Sequence, residues 1–385
     1  MRDYRKKRRR HFSNPANDRS MFKALRKVFF YIYLLTAIPL IACFLSQLVS
    51  PASFWPLAFF GLLFPVLIVT QFVFVLVFLL LRSKSVIIPV ILIILGWSSI
   101  IHTFQIPGRS APVDQGTNSI RVMTYNVRLF DIAHYWSKLK DQSDGILSYV
   151  NDLKPDILCF QEFALQDPGK FSIEFIKSKI PFLPYTAIEY NFASQNRKHG
   201  VAIFSRFPIL SSGHEHFEDT KNMMLYADIQ IGSDTIRVYN NHLESIHFDR
   251  DEFQWIDTTT NKTRIPRDKI TEIANRMRVA YVKRSTQADQ VRNNIDHSPY
   301  KVIVCGDFND TPVSYTTHKI GRNLFDSFRS GGRWLGITFP NVKAPLRIDY
   351  ILHSKEMVSS NYQIGKIKFS DHRPVSCRIR LGGEE

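Results

Sequence analysis

Three apolar stretches, residues 28–49, 54–81 and 86–104, limit what this chain can fold into more than any other feature. Each is near or above the roughly 18–20 residues a helix needs to cross a hydrocarbon core. A buried helical hairpin in a soluble protein is the competing use, but runs this long and uncharged read as membrane spans. Pro51-Ala52-Ser53 separates the first from the second, and Arg82-Ser83-Lys84-Ser85 the second from the third. Pro39, Pro56, Pro65 and Pro89 are no objection, because membrane helices tolerate proline.

Charge sets the expected orientation. Residues 1–27 carry eleven Lys or Arg against two Asp, within a chain of net charge +16. Arg2, Arg5, Lys6, Lys7, Arg8, Arg9 and Arg10 precede the first span, which predicts a cytoplasmic N-terminus. Arg82 and Lys84 suit the cytoplasmic side as well, while the first loop has no charge. Three spans then place the C-terminal domain outside the cytoplasm of a cell (inner) membrane, in a multi-pass topology. The basic tail has a competing use as a nucleic-acid arm, but topology already accounts for it. Leu40-Ile41-Ala42-Cys43 resembles a lipoprotein cleavage box, yet the apolar run continues past Cys43 and two more follow.

The expected division is a basic cytoplasmic tail at 1–27, a three-helix transmembrane anchor at 28–105, a linker at 106–118 and a globular domain at 119–385. In that last part, Ile120–Val127, Asp156–Phe160, Gly200–Ser205, Leu225–Ile231, Thr235–Asn241, 301–305, 347–352 and 374–380 read as strands. Gly145–Leu153 reads as a short helix. Ile270, Ile273, Met277, Ala280, Ala288, Val291 and Ile295 mark one long amphipathic helix. Its other face, with Arg276, Arg278, Lys283, Arg284 and Arg292, reads as solvated; contact with phosphate is the sharper alternative. Strands and helices mixed without strict βαβ order suggest layered sheets with helices outside. Cys159, Cys305 and Cys377 fall on predicted strands and read as inert buried thiols. A Cys159–Cys305 disulfide would be allowed outside the cytoplasm, but the sequence does not place one.

Polar residues gather at the strand ends. The first strand ends in Asn126, and the second leads into Gln161-Glu162. Later come Asn240-Asn241-His242-Leu243-Glu244, then Asp307 and Asn309, Arg347-Ile348-Asp349-Tyr350 and Ser370-Asp371-His372. Buried without partners, such groups would be costly; converging on a metal ion and an anionic substrate, they make sense. Glu and Asp oxygens with an Asn amide, and no Cys, suit a hard cation such as Mg²⁺ or Mn²⁺. A hard ion with two histidines is what phosphoester hydrolysis requires.

Thr124-Tyr125-Asn126-Val127, Gln161-Glu162, Asn241-His242-Leu243, Gly306-Asp307-Phe308-Asn309, Arg347-Ile348-Asp349-Tyr350 and Ser370-Asp371-His372 together resemble the endonuclease/exonuclease/phosphatase superfamily. The resemblance covers about residues 119–382, with all six motifs in order. It implies an α/β fold, a four-layer sandwich of two packed mixed sheets flanked by helices, here preceded by three transmembrane helices. It implies Glu162 as the principal metal ligand with Asn126 beside it, and Asp371 as a further metal-side carboxylate. Asp307 matches the carboxylate that positions or deprotonates the attacking water, and Asn309 the amide that holds phosphate. His372 matches the histidine at the phosphate, oriented by Asp349. His242 matches the general acid for the leaving group, which the apurinic-endonuclease branch tends to lack.

Other polar residues have plainer readings. Asp310 reads as a helix cap or turn residue outside the site. Glu244 reads either as a surface carboxylate or as a partner of His242. His199 reads as a solvent-facing loop histidine. Gly213-His214-Glu215-His216 looks like a metal pair, but reads as part of a polar loop. The expected activity is metal-dependent hydrolysis of phosphoester, foremost phosphodiester, bonds in lipid headgroups or other envelope phosphoesters. An extracytoplasmic nuclease on DNA or RNA is the alternative, and an inactive anchored binding module a third. The expected partners are the phosphoester substrate and the lipid bilayer, with no obligate protein partner evident. The insert Ile246–Ile270 holds Phe248, Phe253 and Trp255, suited to a membrane interface, to stacking on bases, or to a packed capping loop.

Overall fold

The computed structural model describes residues 15–106, 119–131, 142–166, 171–246, 267–340 and 345–382. The basic run at 2–10, most of the linker and the aromatic residues of the 246–270 insert lie outside the described residues.

Among the described residues, the strands form two six-stranded sheets. In the first, the order is β11 (Val358–Ile364), β12 (Val375–Arg380), β1 (Ser119–Asn126), β2 (Ile157–Gln166), β4 (Arg197–Ser205) and β3 (Tyr185–Ala193). In the second it is β5 (Ile209–His216), β6 (Met223–Ile231), β7 (Asp234–His242), β8 (Lys301–Asp307), β10 (Asp349–Ser354) and β9 (Leu324–Asp326). The β1–β2 and β7–β8 pairs are parallel and the others antiparallel, so both sheets are mixed.

Side-chain alternation builds the layers. Val122, Cys159 and Ile203 face a shared core with Leu225, Val238, Ile303 and Ile351 of the second sheet. Their neighbours Met123, Leu158, Phe160 and Phe204 face the other way, onto Ile146, Leu147, Val150 and Ile176 of the helices Ser143–Leu153 and Ile173–Lys179. The long helix Arg267–Asp296 covers the second sheet through Ala288, Val291 and Ile295. The fold is therefore two packed mixed sheets flanked by helices. Cys159, Cys305 and Cys377 are free thiols in the inter-sheet core, so no disulfide joins Cys159 to Cys305.

The basic face of the long helix is not wholly solvated. Arg284 and Arg292 are only 1% and 5% exposed. Arg284 donates to the Glu244 carbonyl at 2.9 Å and pairs with Asp310 at 3.4 Å. Arg292 donates to the carbonyls of Ile320 and Arg322, and to Asp296. The loops after β7 and β8 cover that side of the helix, and a guanidinium with five donors can be buried where carbonyls and carboxylates meet it.

At the N-terminal end, Met21–Ser46 is one helix long and apolar enough to cross a membrane. The second and third runs are each a bent pair of helices, at 55° between Pro51–Gly61 and Phe64–Leu80, and at 58° between Lys84–Leu95 and Trp97–Thr103. Among the described residues there is, by length and composition, one candidate span, or up to three if each bent pair counts as one. The first bend has a local cause. Pro65 lies in the first turn of Phe64–Leu80, and in a continuous helix its ring would clash with the carbonyl of Gly61. Cys43 lies inside the first helix, and its thiol donates to the Phe60 carbonyl.

The two parts of the molecule touch. Val313, in the loop after β8, belongs to the apolar cluster of Phe64, Leu67 and Leu40. A Cβ on Gly61 would lie 2.1 Å from the Val313 carbonyl oxygen, so the loop rests directly on that helix backbone. Arg347, just before β10, donates to the His102 carbonyl at 2.7 Å. Gln105 and Trp334 exchange backbone hydrogen bonds. Phe59 meets Tyr281 of the long helix edge-on, and Arg278 lies over Trp55.

Candidate active site

The site lies where strand ends of the two sheets meet. Asn126 closes β1, His242 closes β7 and Asp307 closes β8. Asp307 is the register partner of His242 on one side and of Asp349, the first residue of β10, on the other. Glu162 sits where β2 slips its register against β4, between Phe160 and Phe163, with φ +48°. The bulge turns a side chain that alternation would bury among the helices toward the site. Gly306, at φ +136°, lets β8 pass the Asn241 backbone, which a Cβ would meet at 2.0 Å.

One amide joins the sheets at the centre. Asn126 Nδ2 donates to Asp307 Oδ2 at 3.0 Å and to Glu162 Oε1 at 3.2 Å, while its Oδ1 accepts from the Arg128 N–H. Beneath it, Gln161 Nε2 donates to Asn240 Oδ1 at 2.6 Å, and Asn240 Nδ2 donates to the Phe160 and Ala202 carbonyls. Asp307 Oδ1 accepts the Asn309 N–H, and Asn309 Nδ2 donates to the Leu243 carbonyl. His372 Nδ1 lies 3.0–3.1 Å from both Asp349 oxygens, and its Nε2 lies 3.5 Å from Asp307 Oδ2. His242 Nε2 stands 3.7 Å from Glu162 Oε1. Asp371 faces Arg128 at 3.9 Å.

These neighbours move the titrations. Burial, then Asp371 and more weakly Asp307, push the Glu162 carboxyl up to about 7, against the Asn126 hydrogen bond and His372. Burial also raises Asp307, partly offset by His372 and His242. For His372, burial favours the neutral ring, but Asp349 and Asp307 outweigh it and hold the imidazole well above its ordinary range. The ring thus lies between two carboxylates that favour its protonated form.

The residues present fit a hard divalent cation. Glu162 and Asp307 both accept from the Asn126 amide, and burial together with the charges of Asp371 and Asp307 raises Glu162, a shift that a bound cation would relieve. Asp307, Asp349 and His372 also offer ligand atoms within 4.8 Å of one another. For Asn126 to ligate through oxygen, its amide must turn over, since Nδ2 faces the carboxylates here.

All eight site residues expected from the sequence stand at this one end, so the structure brings them together. Several plainer expectations change. Asp310 lies in a bend, where its Oδ1 accepts the Thr311 N–H, and is buried against Arg284; of its two readings only the cap is lost, since Ser314 caps the next helix. Glu244 is buried too; its N–H donates to Gln287. His199 lies on β4 rather than in a loop, its ring against Phe192. His214 and His216 lie on strand β5, not in a polar loop. Three contributors were not foreseen. Arg128 opens a run of four left-handed residues and faces Asp371. The Thr338 hydroxyl accepts the N–H groups of Ile348 and Asp349, and Phe339 packs its ring 4.8 Å from that of His372. Only Arg128 had a signal, its place two residues after Asn126.

The family model described as the endonuclease/exonuclease/phosphatase family matches residues 123–372. A second, described only as a domain of unknown function, matches residues 26–103. No curated protein matches the sequence. Solved structures similar to the chain include an endonuclease/exonuclease/phosphatase from Beutenbergia cavernae, at 16% identity over 69% of this chain and 72% of that one, TM-score 0.48. Another, from Bacteroides vulgatus, has 15% identity over 68% of this chain and 99% of that one, TM-score 0.49. The human nocturnin catalytic domain with bound sulfate has 18% identity over 71% and 98%, TM-score 0.48. With its family match running from the first strand to His372, this chain belongs to the endonuclease/exonuclease/phosphatase family and is a phosphoester hydrolase.

Proposed function

We propose that this protein is a membrane-anchored, Mg²⁺- or Mn²⁺-dependent phosphodiesterase that acts outside the cytoplasm on lipid headgroups or other envelope phosphoesters. Residues 1–27 form the cytoplasmic tail, 28–105 the anchor, 106–118 the linker and 119–385 the catalytic domain. The observation that carries the reading is where the site rests. The loop leaving Asp307 and Asn309 runs into Val313 on the apolar helices, and Arg347, two residues before Asp349, bonds the end of the last helix at His102. Two of the site's strands thus meet the anchor at their catalytic ends. An active site at the membrane surface meets headgroups at high local concentration.

The same contacts support the orientation. Arg26, at the end of the basic tail, donates to the Leu81 carbonyl beside Arg82 and Lys84. Residues 55–59 meet the catalytic domain through Phe59 and Tyr281. Basic groups gather at one end of the helices and the hydrolase domain at the other, as the positive-inside rule favours.

In this reading Glu162, Asp371, Asp307 and Asn126 would hold the cation, which would supply charge neutralisation at the phosphate oxygens. Asp307, positioned by Asn126 and the Asn309 N–H, takes the proton of the attacking water. The His372 imidazolium, held by Asp349, meets the phosphate anion beside the Asn309 amide. His242 gives its proton to the leaving oxygen.

The test uses the full chain with Mg²⁺ or Mn²⁺ and an Asp307→Ala control, against phospholipid vesicles and supercoiled plasmid in separate reactions. Headgroup release that EDTA and the substitution both stop supports the proposal. Plasmid nicking without headgroup release would replace it with an anchored nuclease.

A further inference from the structure

A second cluster of ligand atoms stands away from the active site, on the open edges of the two sheets. Glu189 lies on β3, the edge strand of the first sheet, and His214 and His216 lie on β5, the edge strand of the second. At positions i and i+2 of a strand the two imidazoles point to one face, toward Glu189. His214 Nδ1 is 3.2 Å from Glu189 Oε2, and His216 Nε2 is 2.9 Å from Glu189 Oε1. One ligand atom from each residue lies within 4.8 Å of the other two. The side chains are 25%, 47% and 45% exposed, so the cluster opens to solvent.

We propose that Glu189, His214 and His216 bind a Zn²⁺-class transition-metal ion that clamps the edge of one sheet to the edge of the other. Metal–ligand bonds of about 2.0–2.2 Å in a tetrahedron place neighbouring ligand atoms about 3.3 Å apart. Each imidazole nitrogen is already near that spacing from a Glu189 oxygen, each from a different one, so the carboxylate must shift to offer one oxygen to both or bind through both. Two imidazoles with one carboxylate select a borderline ion over Mg²⁺, whose ligands are oxygens. This donor set therefore differs in kind from the oxygen-rich set around Glu162, and the two sites prefer different metals. Three protein ligands leave the fourth position to water on the exposed side. The plain alternative is that Glu189 only pairs with the histidines, and that charged edge strands serve to block edge-to-edge association.

The experiment uses the full chain in detergent with saturating Mg²⁺. Bound Zn²⁺ is counted by equilibrium dialysis, and the unfolding midpoint is followed as Zn²⁺ is added. The wild type should bind one more Zn²⁺ per chain than a His214→Ala/His216→Ala variant. Its midpoint should rise with Zn²⁺, and that rise should be missing in the variant. Glu189→Gln retains a hydrogen-bonding side chain and keeps the proposal testable if the double variant fails to fold. It should weaken the additional site by about 100-fold, the upper end of what loss of even an outer-shell partner costs. Mg²⁺-dependent phosphoesterase activity should survive all three substitutions. Equal Zn²⁺ stoichiometry in the wild type and the folded double variant, or an unchanged Zn²⁺ affinity in Glu189→Gln, would overturn the proposal.

Discussion

His372 Nδ1 lies 3.0 Å from Asp349 Oδ2 in a pocket where both side chains are almost wholly buried. With Asp307 on the far side of the ring, the two carboxylates favour the protonated imidazole. Burial opposes the charge and the two carboxylates outweigh it, so the folded pKa stands well above the unfolded one. The stabilisation is then fully present below about pH 6.5 and is lost as pH rises through the folded value. In EDTA, the unfolding midpoint of the wild type should fall as pH rises above that range. Asp349→Asn should reduce that fall and lower kcat by about 10²–10⁴-fold. An unchanged pH profile of the midpoint would refute the assignment.

Glu162, pushed up to about 7 by burial and its acidic neighbours, must lose its proton before it can bind a cation. Below pH 7 the activating concentration of Mg²⁺ should rise about tenfold per pH unit, one proton being released per ion bound. Activity titrated with Mg²⁺ at pH 6 and pH 8 reads this directly. Glu162→Gln should abolish the dependence together with most of the activity.

Gly306 carries β8 past the Asn241 backbone at a positive φ. Gly306→Ala adds a Cβ at 2.0 Å from a carbonyl oxygen that belongs to the neighbouring strand. Relief requires the β7–β8 pair to separate, at a cost of about 1–3 kcal/mol or more. Chemical denaturation should show that loss, and phosphoesterase activity should fall because His242 and Asp307 are register partners on these strands.

Val313 joins the catalytic loop to the apolar helices and is 1% exposed. Val313→Asp places a charge in that contact and should detach the loop. Hydrolysis of vesicle phospholipid should fall relative to hydrolysis of a small soluble phosphodiester. A docking loss of about 1.4 kcal/mol changes the ratio about tenfold. An equal loss on both substrates would instead mean that the loop itself had been damaged.

Much of the fold was legible because its signals are local. Alternation along Ile120–Val127 and Leu225–Ile231 marks strands, since successive side chains point to opposite faces whatever the partner strand. The long helix was legible from Ile270 to Ile295 for the corresponding helical reason. Strands β3 and β5 were not. Tyr185–Ala193 and Ile209–His216 are partly exposed edge strands with mixed polarity, and one carries the His214 and His216 read as a loop. Arg284 was misplaced because a helical period separates polar from apolar, not exposed from buried.

Taken alone, the sequence determined the three long apolar stretches, the strand-borne polar motifs in their order and the hard-oxygen character of the donor set. Each of these is a property of residue type and short spacing. Only the tertiary structure decided which groups meet. Asn126 and Asp307 are 181 residues apart and hydrogen-bond across two sheets. The bulge that turns Glu162 inward arises from pairing with β4, and the Glu189–His214–His216 cluster needs two sheet edges in contact. Such distances are set by how separate layers pack, and no local pattern along the chain encodes them.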